Sequence, residues 1–140
     1  MTLTKKKVLF ICKNNSGRSQ MAESLLENTY GDHYLVYSAG SHPTEINPLT
    51  IEVLNEIGID ISHKCSKSLN KFQKADFDYV ASLCGDKDEL CPVFLNGKTY
   101  LHRGFADPRS FKGDKNTKRD FFRKIRDEIQ AWIEIEFKTC

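Results

Sequence analysis

The 140-residue chain is 39% apolar and 29% charged, the composition of an ordinary soluble protein with one core, and it is read as a single domain over 1–140. A net charge of +2, with lysines scattered along the chain, leaves no basic footprint for nucleic acid. No apolar run approaches a membrane span, and the one that follows Lys5-Lys6-Lys7 is too short for a secretion signal.

The first predicted element is a strand over residues 8–11, Val-Leu-Phe-Ile, with the length and β-branched content of a buried strand. A polar loop follows, beginning at Cys12 and ending at Arg18. Ser19 opens a helix predicted over 19–29, with Met21, Ala22, Leu25 and Leu26 as its apolar stripe and Gly31 as its stop. A strand, loop and helix in this order aim backbone N–H groups and the positive end of a helix dipole at whatever the loop holds. Lys13, Asn14, Asn15, Ser16 and Gly17 form that cradle. Arg18 adds a planar fork of donors suited to a tetrahedral oxyanion. A cysteine in such a field loses its proton readily, because the groups that hold an anion also hold a thiolate.

A second strand is predicted over 34–38, closed by Ala39-Gly40. Asn47 is placed to cap a helix whose first residue is Pro48, with Ile46 and Ile51 spaced as a hydrophobic staple. Ile51, Leu54 and Ile57 are its predicted buried face, and Gly58 its end. Residues 59–67 read as irregular and 69–74 as a short helix. A third, mostly apolar strand covers 79–83, followed by a polar, acidic segment over 84–92. A weaker fourth strand covers 98–102. Residues 103–118 read as a loop containing Asp107-Pro108. The last helix is predicted from about residue 120, with Phe122, Ile125, Ile129, Trp132 and Ile133 on one side and Glu136 as the polar exception.

Strands alternating with helices imply an α/β fold: three layers, with a four-stranded parallel sheet flanked by helices. Ligands of such sheets bind outside the carboxyl ends of the strands. Cys12, Ser38, Cys84 and Asp107 all fall at that edge. Five cysteines, an odd number, argue against a secreted disulfide framework and for a reducing cytoplasm. Cys84 and Cys91 are separated by six residues, wider than the spacing of a zinc pair, although two idle thiols fit the same spacing. Cys65 reads as a small apolar filler and Cys140 as a terminal thiol. His33, His42, His63 and His102 show no ligand spacing, and Trp132 reads as core.

Cys12, five residues, Arg18 and Ser19 spell the C-x5-R-S signature of a phosphatase-type loop. The run Cys-Lys-Asn-Asn-Ser-Gly-Arg-Ser-Gln-Met-Ala-Glu over 12–23 resembles the low-molecular-weight tyrosine phosphatase family. In particular it resembles the thioredoxin-coupled arsenate reductases built on that fold, which carry glutamine where the phosphatases usually carry proline. The resemblance continues through Tyr37-Ser38-Ala39-Gly40, Asn47-Pro48, Ile59-Asp60-Ile61-Ser62, Leu83-Cys84-Gly85-Asp86, Cys91-Pro92 and Gly104-Phe105-Ala106-Asp107-Pro108.

The resemblance implies arsenate reduction by a three-thiol relay. Cys12 attacks arsenic, Cys84 attacks Cys12 and releases arsenite, and Cys91 attacks Cys84 to leave a disulfide that thioredoxin reduces. It implies Asp107 as general acid and Ser19 as hydrogen-bond donor to Cys12. As plain sequence, Asp-Pro also initiates turns and Ser19 also reads as a helix cap. It implies competing binding of phosphate or sulfate. A monomer is the default expectation. The resemblance further implies a monovalent-cation region at Asn15, Glu23 and Ser38, where Lys67 stands in place of the usual aspartate and its ammonium can replace the ion. Asn14 stands where the family has glycine, and asparagine is the next most tolerant residue of a positive φ. Two other readings remain: a tyrosine phosphatase with extra thiols, and a non-enzymatic oxyanion or redox sensor. Glutaredoxin with glutathione is the alternative reductant.

Overall fold

The structure is a computed structural model that describes residues 4–85, 94 and 96–138. Four strands form one parallel sheet: β1 (Lys6–Cys12), β2 (Tyr34–Gly40), β3 (Phe77–Cys84) and β4 (Gly97–Phe105), in the order β2-β1-β3-β4. Three helices accompany it: α1 (Arg18–Tyr30), α2 (Pro48–Asn55) and α3 (Lys115–Glu136). β1 is central, paired with β2 from Lys6↔Tyr34 to Cys12↔Gly40 and with β3 from Val8↔Tyr79 to Ile11↔Ser82. This register brings Cys12, Gly40, Cys84 and the start of the segment after β4 to one end of the sheet.

β1 is apolar on both faces because both faces are covered. Val8 and Phe10 join a core with Leu25, Leu26, Leu54, Ile125, Ile129 and Ile133, drawn from all three helices. Leu9 and Ile11 face the other way, against Phe72, Phe77, Val80 and Phe94. That second layer carries a short 3-10 turn, Leu69–Phe72, where a short helix over 69–74 was expected from sequence. Trp132 is partly buried, its ring edge-on to those of Phe10, Phe105 and Phe137. Among the described residues, no helix is long and apolar enough to cross a membrane.

Three expectations are corrected by packing. The last helix starts at Lys115 rather than near residue 120, because Asp114 caps it by accepting the Thr117 backbone N–H at 2.8 Å. Its first turn is polar and exposed, so no apolar stripe marks it. β4 runs on to Phe105 because pairing with β3 supplies ladder partners beyond the apolar stretch. α2 buries Thr50, Val53 and Leu54, whereas Ile57 is 47% exposed. Gly58, at φ +85°, closes α2: its N–H bonds Asn55 O and that of Ile59 bonds Leu54 O, the paired bonds of a left-handed glycine stop.

Candidate active site

The loop between β1 and α1 is held from outside by its carbonyl groups. Lys13 O accepts from His42 N (2.8 Å), Asn14 O from Thr44 N (3.1 Å) and Ser16 O from Asn47 N (3.0 Å). Asn15 O accepts from Ser66 Oγ (2.8 Å), and Ser16 O also accepts from Thr50 Oγ1 (3.1 Å). In a trans peptide the N–H points opposite to the C=O. Four consecutive carbonyls bound on the outer side therefore turn the N–H groups of residues 14–17 toward the inside, next to Cys12. Asn47 also caps α2 by accepting Leu49 N at 2.9 Å, so the Asn47-Pro48 pair both starts a helix and braces the loop.

Two close approaches require glycine. A Cβ on Gly40 would lie 2.5 Å from Lys13 O and 2.9 Å from Asn15 N, so β2 can pass beneath the loop only as glycine. A Cβ on Gly85 would lie 2.6 Å from Phe105 O, so only glycine lets the chain at 85 pass this close to the end of β4.

Cys12 is buried, and its Sγ lies 2.8 Å from Ser19 Oγ. Asn15 is fully buried at φ 50° and organises this contact. Its Oδ1 accepts from the Lys67 backbone N–H and from Gln20 Nε2, both at 2.9 Å. A backbone N–H can only donate, so the amide orientation of Asn15 is determined. Its Nδ2 then donates to Ser19 Oγ at 2.7 Å. The Ser19 hydroxyl is thereby held within hydrogen-bond distance of the Cys12 sulfur. The positive φ falls on Asn15 and not on Asn14, the position at which the resemblance implied it.

Arg18 is buried, and its Nη1 donates to Phe105 O at 3.1 Å. Its Nη2 lies 3.8 Å from Asp107 Oδ2. Asp107 caps the short turn Pro108–Ser110 by accepting Arg109 N at 3.0 Å, and the Arg109 guanidinium reaches both Asp107 oxygens. Burial works to raise the Asp107 carboxyl. The Arg109 hydrogen bonds and the Arg18 charge overcome it and hold Asp107 below its ordinary value. Cys12, Asn14, Ser16 and Arg18 on one side, with Asp107 and Arg109 on the other, enclose about 10 Å³, the room of one water. Lys13 is exposed and Gly17 buried against Pro108.

Cys84 ends β3, opposite Phe105 in the ladder, and is disulfide-bonded, whereas Cys12 and Cys65 are free. Phe105 therefore touches both chemistries: its chain pairs with Cys84 and its carbonyl anchors Arg18. Cys91 and Cys140 lie outside the described residues. Cys65 is exposed rather than the buried filler expected, because 59–67 runs over the surface. The four histidines are exposed, and His102 lies within β4, in the strand expected there.

The expected cation region is closed by ammonium groups. Lys64 Nζ lies 2.9 Å from Glu23 Oε2 and Lys67 Nζ 3.7 Å from Oε1, while Ser38 donates to Oε1 at 3.2 Å. Asn15 Oδ1 already accepts two N–H groups. This donor set does not suit a metal ion, and among the described residues no group of three or more His, Cys, Asp or Glu is placed to hold one. Lys64, Thr50 and Arg109 carry no motif: they act through Glu23, Ser16 and Asn14, which lie 41, 34 and 95 positions away.

The fold and the loop define a class: a cysteine-centred strand-loop-helix site at the carboxyl edge of a parallel sheet. The family model for low molecular weight phosphotyrosine protein phosphatase matches residues 7–136, and the chain belongs to that family. It is 41% identical to an arsenate reductase of Halalkalibacterium halodurans over 98% of this chain and 99% of that one. A solved arsenate reductase in its oxidized state superposes with a TM-score of 0.77 at 32% identity, covering 92% of this chain and 94% of that one. A thioredoxin-dependent arsenate reductase of Corynebacterium glutamicum gives 0.66 at 34% identity, over 99% of this chain and 66% of that one.

Proposed function

We propose that the protein reduces arsenate to arsenite with three thiols and thioredoxin as reductant, acting as a monomer in the cytoplasm. The cradle N–H groups and Arg18 hold the arsenate oxygens, as they would hold competing phosphate or sulfate. Cys12 Sγ attacks arsenic and an oxygen leaves as water, with Asp107 supplying a proton. Cys84 then attacks Cys12 Sγ. The sulfur–arsenic electron pair goes to arsenic, which departs as arsenite, and Cys12–Cys84 forms. Cys91 attacks Cys84, frees Cys12 and leaves Cys84–Cys91 for thioredoxin to reduce.

The observation that carries this reading is the disulfide state: Cys84 is bonded while Cys12 is free and hydrogen-bonded to Ser19. A relay in its last oxidised form has that distribution, with Cys91 as partner. The deciding experiment measures thioredoxin-coupled arsenate turnover beside p-nitrophenyl phosphate hydrolysis, for wild type and Cys84→Ser. Turnover is expected to vanish in the variant while phosphate ester hydrolysis is kept. Hydrolysis without any arsenate turnover in wild type would sink the relay and leave a phosphatase.

Lys64 and Lys67 do the work of a monovalent cation by neutralising Glu23 behind Asn15. Replacing sodium by potassium at constant ionic strength is expected to leave melting temperature and arsenate KM unchanged. A clear rise in melting temperature with potassium alone contradicts this assignment.

A further inference from the structure

The turn after β4 presents a second guanidinium to the cradle. Its backbone is well anchored: Ser110 N and Oγ both donate to Asp107 O, at 3.0 and 2.6 Å, and Phe111 stacks on Phe121 of α3 with centroids 4.7 Å apart. From this base Arg109 reaches Asp107 Oδ2 at 3.2 Å and hydrogen-bonds the side-chain oxygen of Asn14, a cradle residue 95 positions away. Asn14 is braced in turn, donating to His42 O at 2.7 Å. The Arg109 side chain is 37% exposed, so solvent does not prevent it from changing partners.

We propose that Arg109 is an oxyanion-binding residue, a second guanidinium that leaves Asp107 and Asn14 to bind the incoming arsenate together with Arg18. This deepens the reading above and rests on it for the identity of the substrate. Three features support the assignment. The guanidinium borders the same cavity as Cys12 and Arg18. With Arg109 where it stands, about 10 Å³ remains beside Cys12, the room of one water, and Arg109 is the exposed side chain among those that border it. Its present partners are one monovalent carboxylate and one neutral amide oxygen, and a multiply charged oxyanion attracts a fork of donors more strongly than either. Transfer also takes a hydrogen-bond donor from Asp107 at the moment that carboxyl is needed to carry a proton. Among the described residues, the charged group then facing it is Arg18, together with the oxyanion itself.

The test reads anion binding without relying on reduction. Inorganic phosphate protects Cys12 from iodoacetamide, followed on the Cys12 peptide so that the exposed Cys65 does not interfere. In Arg109→Ala the phosphate concentration for half-protection is expected to rise roughly tenfold, and in Arg109→Lys by less. Arsenate KM should rise in parallel while kcat changes by less than about threefold, and melting curves report folding. Unchanged protection and KM in a folded Arg109→Ala protein overturn the proposal. A lowered KM also overturns it, since Arg109 would then only obstruct the cradle. If wild type reduces no arsenate, the reductase reading fails, and the phosphate arm still decides the role of Arg109.

Discussion

Two carboxylates in this protein each sit between two arginines, and they are used in opposite ways. Glu56, just past α2, is gripped by α3. Arg123 Nε lies 3.0 Å from each of its oxygens and Arg126 Nη1 3.0 Å from Oε1. Arg126 is buried and also donates to Val53 O at 2.7 Å, so this cluster ties α3 to α2. At the other cluster, among the described residues, Arg18 stands 3.8 Å from Asp107 Oδ2 and donates to Phe105 O. The structural cluster is tight and closed; the cradle cluster is looser and faces a cavity.

The sharpest way to break this contrast is Arg18→Lys. Lysine keeps a charge but loses the planar fork, so kcat/KM for arsenate is expected to fall by about 10²- to 10³-fold, read by thioredoxin-coupled turnover. A loss below tenfold would mean that the fork geometry matters little. Glu56→Gln is the small counterpart: no loss of turnover, and no more than about 1 kcal/mol of stability, because the residue is exposed and its pairs are screened by water.

Acid titration sharpens the same point. Chiefly through the Arg123 hydrogen bond, Glu56 is lowered from an ordinary 4.5 to about 2. A carboxyl that is more acidic in the folded state contributes stability above its unfolded value and loses it as pH falls through the folded one. Its share should therefore disappear between pH 4.5 and about 2. Denaturant midpoints followed across that window are expected to fall more steeply for wild type than for Glu56→Gln.

Much of the site was legible because its signals are local. An apolar strand ending in Cys12, a helix beginning beside Arg18 and Ser19, and the Asn47-Pro48 cap are all decided within a few residues by burial period and capping. The parallel sheet followed from the alternation of elements. What escaped was decided by contacts across the chain. Asn15 rather than Asn14 takes the positive φ because its amide must meet Lys67 N, Gln20 and Ser19 together. α3 begins early on a polar turn that burial patterning cannot see.

By itself, then, the sequence determined that a cysteine and an arginine with five residues between them share one strand-loop-helix unit, since spacing and local propensity suffice for that. The tertiary structure alone decided which way the loop N–H groups face. Their direction depends on carbonyl partners at His42, Thr44, Asn47, Thr50 and Ser66, which reach the loop only when the chain folds back over it. It also decided that Arg109, which carries no motif, stands at the mouth of the cradle. That placement needs β4 to end beside β3 and the following turn to pack on α3.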